Sequence, residues 1–385
     1  MVIPREQIAT GEHLTRLYVQ VPGNVDAKTD RTTTTEDEKK NASKKKRAEV
    51  TLEYIFQQAN AVFAPYKIKV KEGTVPDWYA AYQIGQRMTP KFSSRTPDGV
   101  DRVFIVGDGQ GMNVSMMDSY NLSWKLAHSI LGLSPSTIKN SADPVLETFE
   151  LERVDTARQL IEFDTKFSHM FSGKIGSGDS STAGLTHDEF LEVFRDGSGF
   201  TSGCGLEYKS SKLVRATEGS QDMVSSAGDP LYGALTPGRR VLNVELKRYA
   251  DNTTRQLHEE LPSNGRYRLL ILTSTDLLDP SGHSQKALRA STEIVESHPA
   301  GSIDLVVLHP IKDRFEWTQI PSEVKRLAEM RTYGLAKKED AYDVYGISRE
   351  EGAIAVVRPD GYVGVLCRLS TPEFAKYLGG CLVTI

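Results

Sequence analysis

The sequence predicts an α/β chain of two compact units, on three observations. An apolar run from Val103 to Val106 enters a glycine turn and then a helix-compatible stretch. From residue 240 onward, strand text and helix text alternate to the C-terminus, the order of a small α/β sandwich. Between these regions, residues 172–240 are rich in Gly and Ser, the composition of a connection between units. At 385 residues the chain is long enough for two sizeable cores. The expected division is 1–195, a linker at 196–239, and 240–385.

Residues 1–22 read as two strands around a turn near Gly11, because Leu17, Val19 and Val21 alternate with Arg16, Tyr18 and Gln20. Residues 23–49 hold a single Val and no aromatic residue, so a disordered loop is expected. The KKKR run in that loop reads as solvated charge rather than a phosphate or nuclear-import signal, since acidic residues sit close by. Residues 50–63 make an amphipathic helix with Leu52, Ile55, Phe56, Ala59 and Phe63 on one face, ended by Pro65.

Strands are expected over 67–71 and 77–87, the second carrying Trp78, Tyr79 and Tyr82. A polar loop at 92–101 precedes the strand at 103–106. Helices follow over 113–131 and 144–171; the second places Leu146, Phe149, Val154, Leu160, Ile161, Phe167 and Phe171 at helical spacings. Pro144 falls near its first turn, where a missing N–H costs little. A short helix around His187–Arg195 interrupts the Gly/Ser-rich stretch. The C-terminal unit then gives strands at 242–247, 266–274, 302–310 and 352–367, with helices at 254–261, 284–297, 321–330 and 371–380. Pro359-Asp360-Gly361 marks a turn inside the last strand region. In DPSGHSQ, 279–285, helix capping is the expected role.

A net charge of −4 leaves no basic footprint, so no nucleic-acid partner is expected. No apolar run reaches eighteen residues, and the N-terminus lacks a secretory h-region. Cys204, Cys367 and Cys381 are far apart, which argues against a disulfide framework, a zinc site or a dithiol redox pair. No metal is expected, and a reducing cytoplasm fits. A chain that opens inside a hairpin leads to the expectation that it is N-terminally truncated.

The richest segment is VFIVGDGQGMNVSMMDSYNLSWKL, residues 103–126. Asp108 stands at a strand end, where a carboxylate can accept hydrogen bonds from the hydroxyls of a polyhydroxylated ligand. Gly111 permits close backbone approach, and a helix start presents unpaired N–H groups and partial positive charge. A bare Gly-Asp after a strand is more often a simple βα turn with an Asp cap. The extended GQGMN, SMMD and YNLSWKL text reverses that weighting.

That text, with MVIPRE, LTRLYVQV, VFAPYKIK, AAYQIGQR and LERVDTARQLIEFDTKFSHMFSG, resembles the phenol 2-monooxygenase family of FAD-dependent aromatic hydroxylases. The resemblance implies an α+β flavoprotein hydroxylase-like part, here lacking its first βαβ unit, plus a thioredoxin-like α/β domain for dimerisation. It implies FAD as cofactor, NAD(P)H as co-substrate, O₂, a phenolic small-molecule substrate and a homodimer, while the lack of a long apolar run leads to the expectation of no membrane partner. Asp108 matches the carboxylate on the flavin ribityl chain; Gly109, Gln110, Gly111, Met112 and Asn113 match the backbone cradle of the isoalloxazine ring. Tyr82 matches a flavin contact, and Arg5 and Tyr18, with Arg16 close by in the sequence, match the phenol pocket.

No GxGxxG follows an apolar strand near the N-terminus, and Asp108 runs directly into Gly109 without the family's intervening stretch. A competing expectation is therefore a non-catalytic remnant that acts only as a dimerisation or interaction module.

Overall fold

The structure is a computed structural model that describes residues 2–19, 50–80, 88–95, 101–107, 112–135, 143–172, 197–200, 202–216, 234–370 and 372–385. The chain divides into two units, Met1–Gln86 and Arg87–Ile385.

The first unit opens with an antiparallel hairpin, β1 (Val2–Gln7) and β2 (His13–Leu17), turning through Gly11 at φ +83°. Leu17 and Val19 are half-buried between exposed Arg16 and Tyr18, as the alternation predicts. Helix α1 (Leu52–Val62) is capped by the Thr51 hydroxyl, which accepts from the Tyr54 N–H. Residues 67–71 form no strand. The Asn60 side chain takes both backbone groups of Ile68, accepting its N–H at 2.6 Å and donating to its carbonyl at 3.0 Å, so no ladder needs them. Residues 77–80 are likewise outside any strand, and 81–87 lie outside the described residues.

The second unit begins with a two-stranded antiparallel sheet, β3 (Ser93–Arg95) and β4 (Asp101–Phe104). The long helices α2 (Met112–Ile130) and α3 (Thr148–Ser172) follow. Phe92, Leu122, Leu146, Phe149 and Ala157 form a small core among these four elements, with Phe104 edge-on to Phe149 at 5.9 Å. Pro144 lies in the turn before α3 rather than in its first helical turn. The run 103–106 departs from expectation, since Val103, Ile105 and Val106 are exposed and only Phe104 is half-buried. The physical reason is that β4 pairs on one edge only among the described residues.

The rest is a seven-stranded mixed sheet. Its elements are β5 (Glu245–Arg248), β6 (Thr254–Gln256), α4 (Leu257–Glu260), β7 (Tyr267–Leu272), α5 (His283–Glu296), β8 (Ile303–Leu308), α6 (Ser322–Leu327), β9 (Thr332–Leu335), α7 (Ala341–Tyr345), β10 (Ala353–Val357), β11 (Val363–Cys367) and α8 (Glu373–Gly379). Strand order is β11-β10-β7-β8-β9-β5-β6. β7, β8 and β9 run parallel, and β10 is antiparallel to both β7 and β11. Every residue of β7, β8, β10 and β11 is buried, because helices or packed loops cover both faces. Tyr267, Leu269 and Ile271 point into the core with α5 and α8, while Leu270 and Leu272 point into the core with α7.

Two departures stand out here. The expected helix 254–261 begins as strand β6 before α4, since Leu246 of β5 pairs with Arg255. The expected linker 196–239 contains Leu206, Tyr208, Leu213, Val214 and Leu235, all buried in the second unit. Polar composition concealed these anchors because they are spaced singly among Gly, Ser and charged residues. His187–Arg195 lies outside the described residues. Before α5, Asp276 does the capping, accepting from the backbone of His283 at 2.6 Å and Ser284 at 3.2 Å. No helix among the described residues is long and apolar enough to cross a membrane.

Candidate functional site

The chain leaving β4 is held at the strand end by two backbone N–H groups. At the strand end, Ile105 donates its N–H to the Phe92 carbonyl at 2.8 Å. Gly107 then adopts φ +81°, a left-handed backbone that a side chain would strain, and turns the chain toward the helix. Its N–H donates to Asp118 Oδ2 at 3.1 Å. The other Asp118 oxygen accepts from Arg153 Nε, so one carboxylate on α2 ties the strand end to α3. Arg153 also donates to Tyr208 Oη at 3.0 Å.

Met112 and Asn113 open α2 and are exposed, Met112 by 76%. The first N–H groups of a helix lack partners within it, so this end carries donors and partial positive charge. Ile105, Val106, Met112 and Met116 give the surroundings of the turn an exposed apolar character. Asp108, Gly109, Gln110, Gly111 and Tyr82 lie outside the described residues. In the first unit, Arg5 is exposed and pairs with Glu6 at 3.0 Å. Tyr18 is 47% exposed and accepts from Arg16 Nη1 at 3.3 Å.

Behind the turn lies a buried ionic network that the sequence reading missed. Glu152 on α3 accepts from Lys125 Nζ at 2.7 Å, from Asn121 Nδ2 at 2.7 Å and from both Nη atoms of Arg358. Arg358 also engages Asp360, whose Oδ2 accepts from Trp124 Nε1 at 3.1 Å. With Asp118 and Arg153, the network holds three cations and three carboxylates, all buried. Burial alone would raise the Glu152 carboxyl, but the charges of Arg358 and Lys125 outweigh it and bring it to about 2. Burial lowers the Lys125 ammonium to about 8 against the pull of Glu152. A signal was available, since Asp118, Asn121 and Lys125 share one face of α2 with Leu122 and Trp124 at spacings of three and four.

The two buried thiols are poorly suited to redox work. Cys367 is buried in β11, and burial pushes the Cys381 thiol up to about 11. Among the described residues, no cluster of His, Cys, Asp and Glu could hold a metal ion.

Comparison with known proteins finds two family regions in the chain. Residues 8–164 match the model of the FAD binding domain, and residues 206–384 match that of the phenol hydroxylase C-terminal dimerisation domain. The flavin-dependent oxygenase ucdD of Aspergillus ustus is 31% identical, over 98% of this chain and 57% of the relative. Phenol 2-monooxygenase fsqG of Aspergillus fumigatus is 28% identical, over 99% of this chain and 60% of the relative. A bacterial 3-hydroxybenzoate 4-monooxygenase, from Comamonas testosteroni, is 30% identical over 94% of this chain and 56% of the relative. The chain thus spans somewhat more than half the length of these relatives. On the two matched regions together, the chain belongs to the phenol hydroxylase-like family of FAD-dependent aromatic monooxygenases.

Proposed function

We propose that the chain works as an FAD-dependent monooxygenase that hydroxylates phenolic substrates with NAD(P)H and O₂, and that it acts as a cytoplasmic homodimer. The observation that carries this reading is the strand-to-helix turn pinned by Asp118, with an exposed helix N-terminus and apolar side chains around it. A flat heteroaromatic ring with an electron-rich edge fits such a place, with apolar surface for its faces and N–H donors for its edge. When bound, the flavin supplies the oxygen-activating chemistry. The names of the relatives, which include a phenol and a hydroxybenzoate monooxygenase, support a phenolic substrate.

In this reading Asp108 accepts hydrogen bonds from the ribityl hydroxyls, and Gly109, Gln110, Gly111, Met112 and Asn113 supply the amide cradle. Tyr82 touches the ring. Arg5 and Tyr18 bind the phenol oxygen, where a guanidinium and a phenolic O–H favour phenolate and so make the substrate ring more nucleophilic. Positioning and exclusion of water are the protein's main contributions. Residues 1–195 carry this flavoprotein part and 240–385 carry the dimer contacts. Support for a thioredoxin-like C-terminal unit comes from the order β11-β10-β7-β8, with α5 linking the parallel pair and α8 following β11.

The non-catalytic alternative is not favoured, because the FAD-domain match takes in the whole flavin segment. The test is oxygen and NAD(P)H consumption by the purified chain, supplied with FAD and a phenol. Substrate-stimulated uptake with a catechol product is expected. A protein that binds flavin yet oxidises NAD(P)H at a rate indifferent to any phenol would overturn the substrate assignment.

A further inference from the structure

A second candidate site lies in the second unit, away from the β4–α2 turn. Tyr120 of α2 faces the C-terminal sheet across a cavity of about 130 Å³ lined also by Arg240, His258, Ser263, Arg268 and Asp360. Two guanidinium groups enter it. Arg268 on β7 is 2% exposed and has no carboxylate partner among the described residues. Its Nη2 donates to the Pro262 carbonyl and to Asn264 Oδ1 at 2.9 Å, and Nη1 lies 3.5 Å from the Pro359 carbonyl. Its Nε is buried with no acceptor. Arg240 is half-buried, and among the described residues no acceptor engages its guanidinium.

The other groups add donors rather than negative charge. His258 Nε2 lies 2.7 Å from the Val241 carbonyl, close enough to Arg240 to feel its charge. Tyr120 Oη donates to the Pro359 carbonyl at 3.1 Å and sits 2.7 Å from Ser263 Oγ, whose hydroxyl can rotate toward the cavity. The Asp360 carboxylate is already taken by Arg358 and by Trp124. Among the described residues neither guanidinium touches a carboxylate, and an anion between them would offset the cost of their burial.

We infer that this cavity binds a phosphate group, held by Arg240 and Arg268 with Ser263 as the hydroxyl donor. Guanidinium forks match phosphate oxygens in pairs. The cavity is smaller than the roughly 300–1,000 Å³ usual for drug-sized ligands, so it takes the phosphate head of a small molecule and leaves the remainder outside.

The test is a titration of the whole chain with inorganic phosphate at constant ionic strength, balanced with chloride and read as the melting temperature. A saturable rise is expected. Arg240→Gln should weaken the apparent affinity by about tenfold or more while keeping the far-UV spectrum. Ser263→Ala, a milder change outside any helix or strand, should weaken it less. Glycerol phosphate separates the two sources: tighter binding than inorganic phosphate assigns the site to a phosphomonoester, weaker binding to the free anion. No saturable response at millimolar phosphate, an equal response to acetate, or an unchanged affinity in a folded Arg240→Gln protein would overturn the inference.

Discussion

Arg358 and Glu152 meet as a bidentate pair across 206 residues of sequence, Nη1 to Oε1 at 2.5 Å and Nη2 to Oε2 at 3.0 Å. Arg358 directly follows β10, and Glu152 sits on α3, so this pair joins the flavin-type helices to the C-terminal sheet. Both groups are buried. Removing one partner leaves Glu152 and Asp360 short of a counter-charge in a dry interior. Arg358→Met should therefore cost about 3–5 kcal/mol in chemical denaturation. A loss below about 1 kcal/mol would mean that the pair is solvated.

The same pair gives an acid signature. The Glu152 carboxyl ionises at about 2 in the folded chain against an ordinary value of 4.5. Its folded value is depressed, so its contribution is fully present above pH 4.5 and lost as pH falls toward 2. Stability measured from pH 6 downward should fall through that window, and Glu152→Gln should flatten the slope there. An identical slope in the variant would assign the acid sensitivity to other carboxylates.

Gly364 in β11 stands against the phenolic end of Tyr377, whose hydroxyl donates to the Leu213 carbonyl at 2.9 Å. Tyr377 is buried on α8 and cannot swing away cheaply. Gly364→Ala should destabilise by about 1–3 kcal/mol through overpacking, seen as a lower melting temperature. An unchanged melting temperature would show that α8 moves freely on the sheet.

Asp118 fixes the Gly107 N–H and Arg153 together. Asp118→Asn keeps the shape but weakens both bonds, loosening the strand end that leads into the proposed flavin-binding residues. Flavin affinity should fall about tenfold, or ~1.4 kcal/mol, with the far-UV spectrum retained. Fluorescence titration with FAD reads this directly, and equal affinity in the variant would detach Asp118 from cofactor binding.

Much of the fold was legible because periodicity and packing agreed. The runs that became β7, β8, β10 and β11 are apolar and bounded by turn residues, and α5 carries a clear stripe with Ala287 and Leu288. The element β9 escaped because four residues, TYGL, carry too little pattern, although Tyr333 is wholly buried. Helix α7, five residues long, escaped for the same reason, although Asp340 caps it by accepting from the Tyr342 N–H at 3.0 Å. The network around Glu152 was hidden for a different reason. Charged residues in helices usually face water, and only distant partners such as Arg358 and Asp360 reveal that these do not. RPDG carried two meanings, and the sequence displays only the turn. In the candidate site, Gly107 and the start of α2 were legible, but the clamp from Asp118 depends on Arg153, thirty-five residues away.

The central proposal is that residues 108–113 hold the flavin. The most direct measurement is a titration of the purified, unmodified chain with FAD, followed by flavin absorbance and fluorescence, beside Asp108→Ala. Saturable binding with a perturbed flavin spectrum, lost in the folded variant, is the result predicted. A chain that leaves the flavin spectrum untouched, or binds FAD equally well with and without the Asp108 carboxylate, would contradict it.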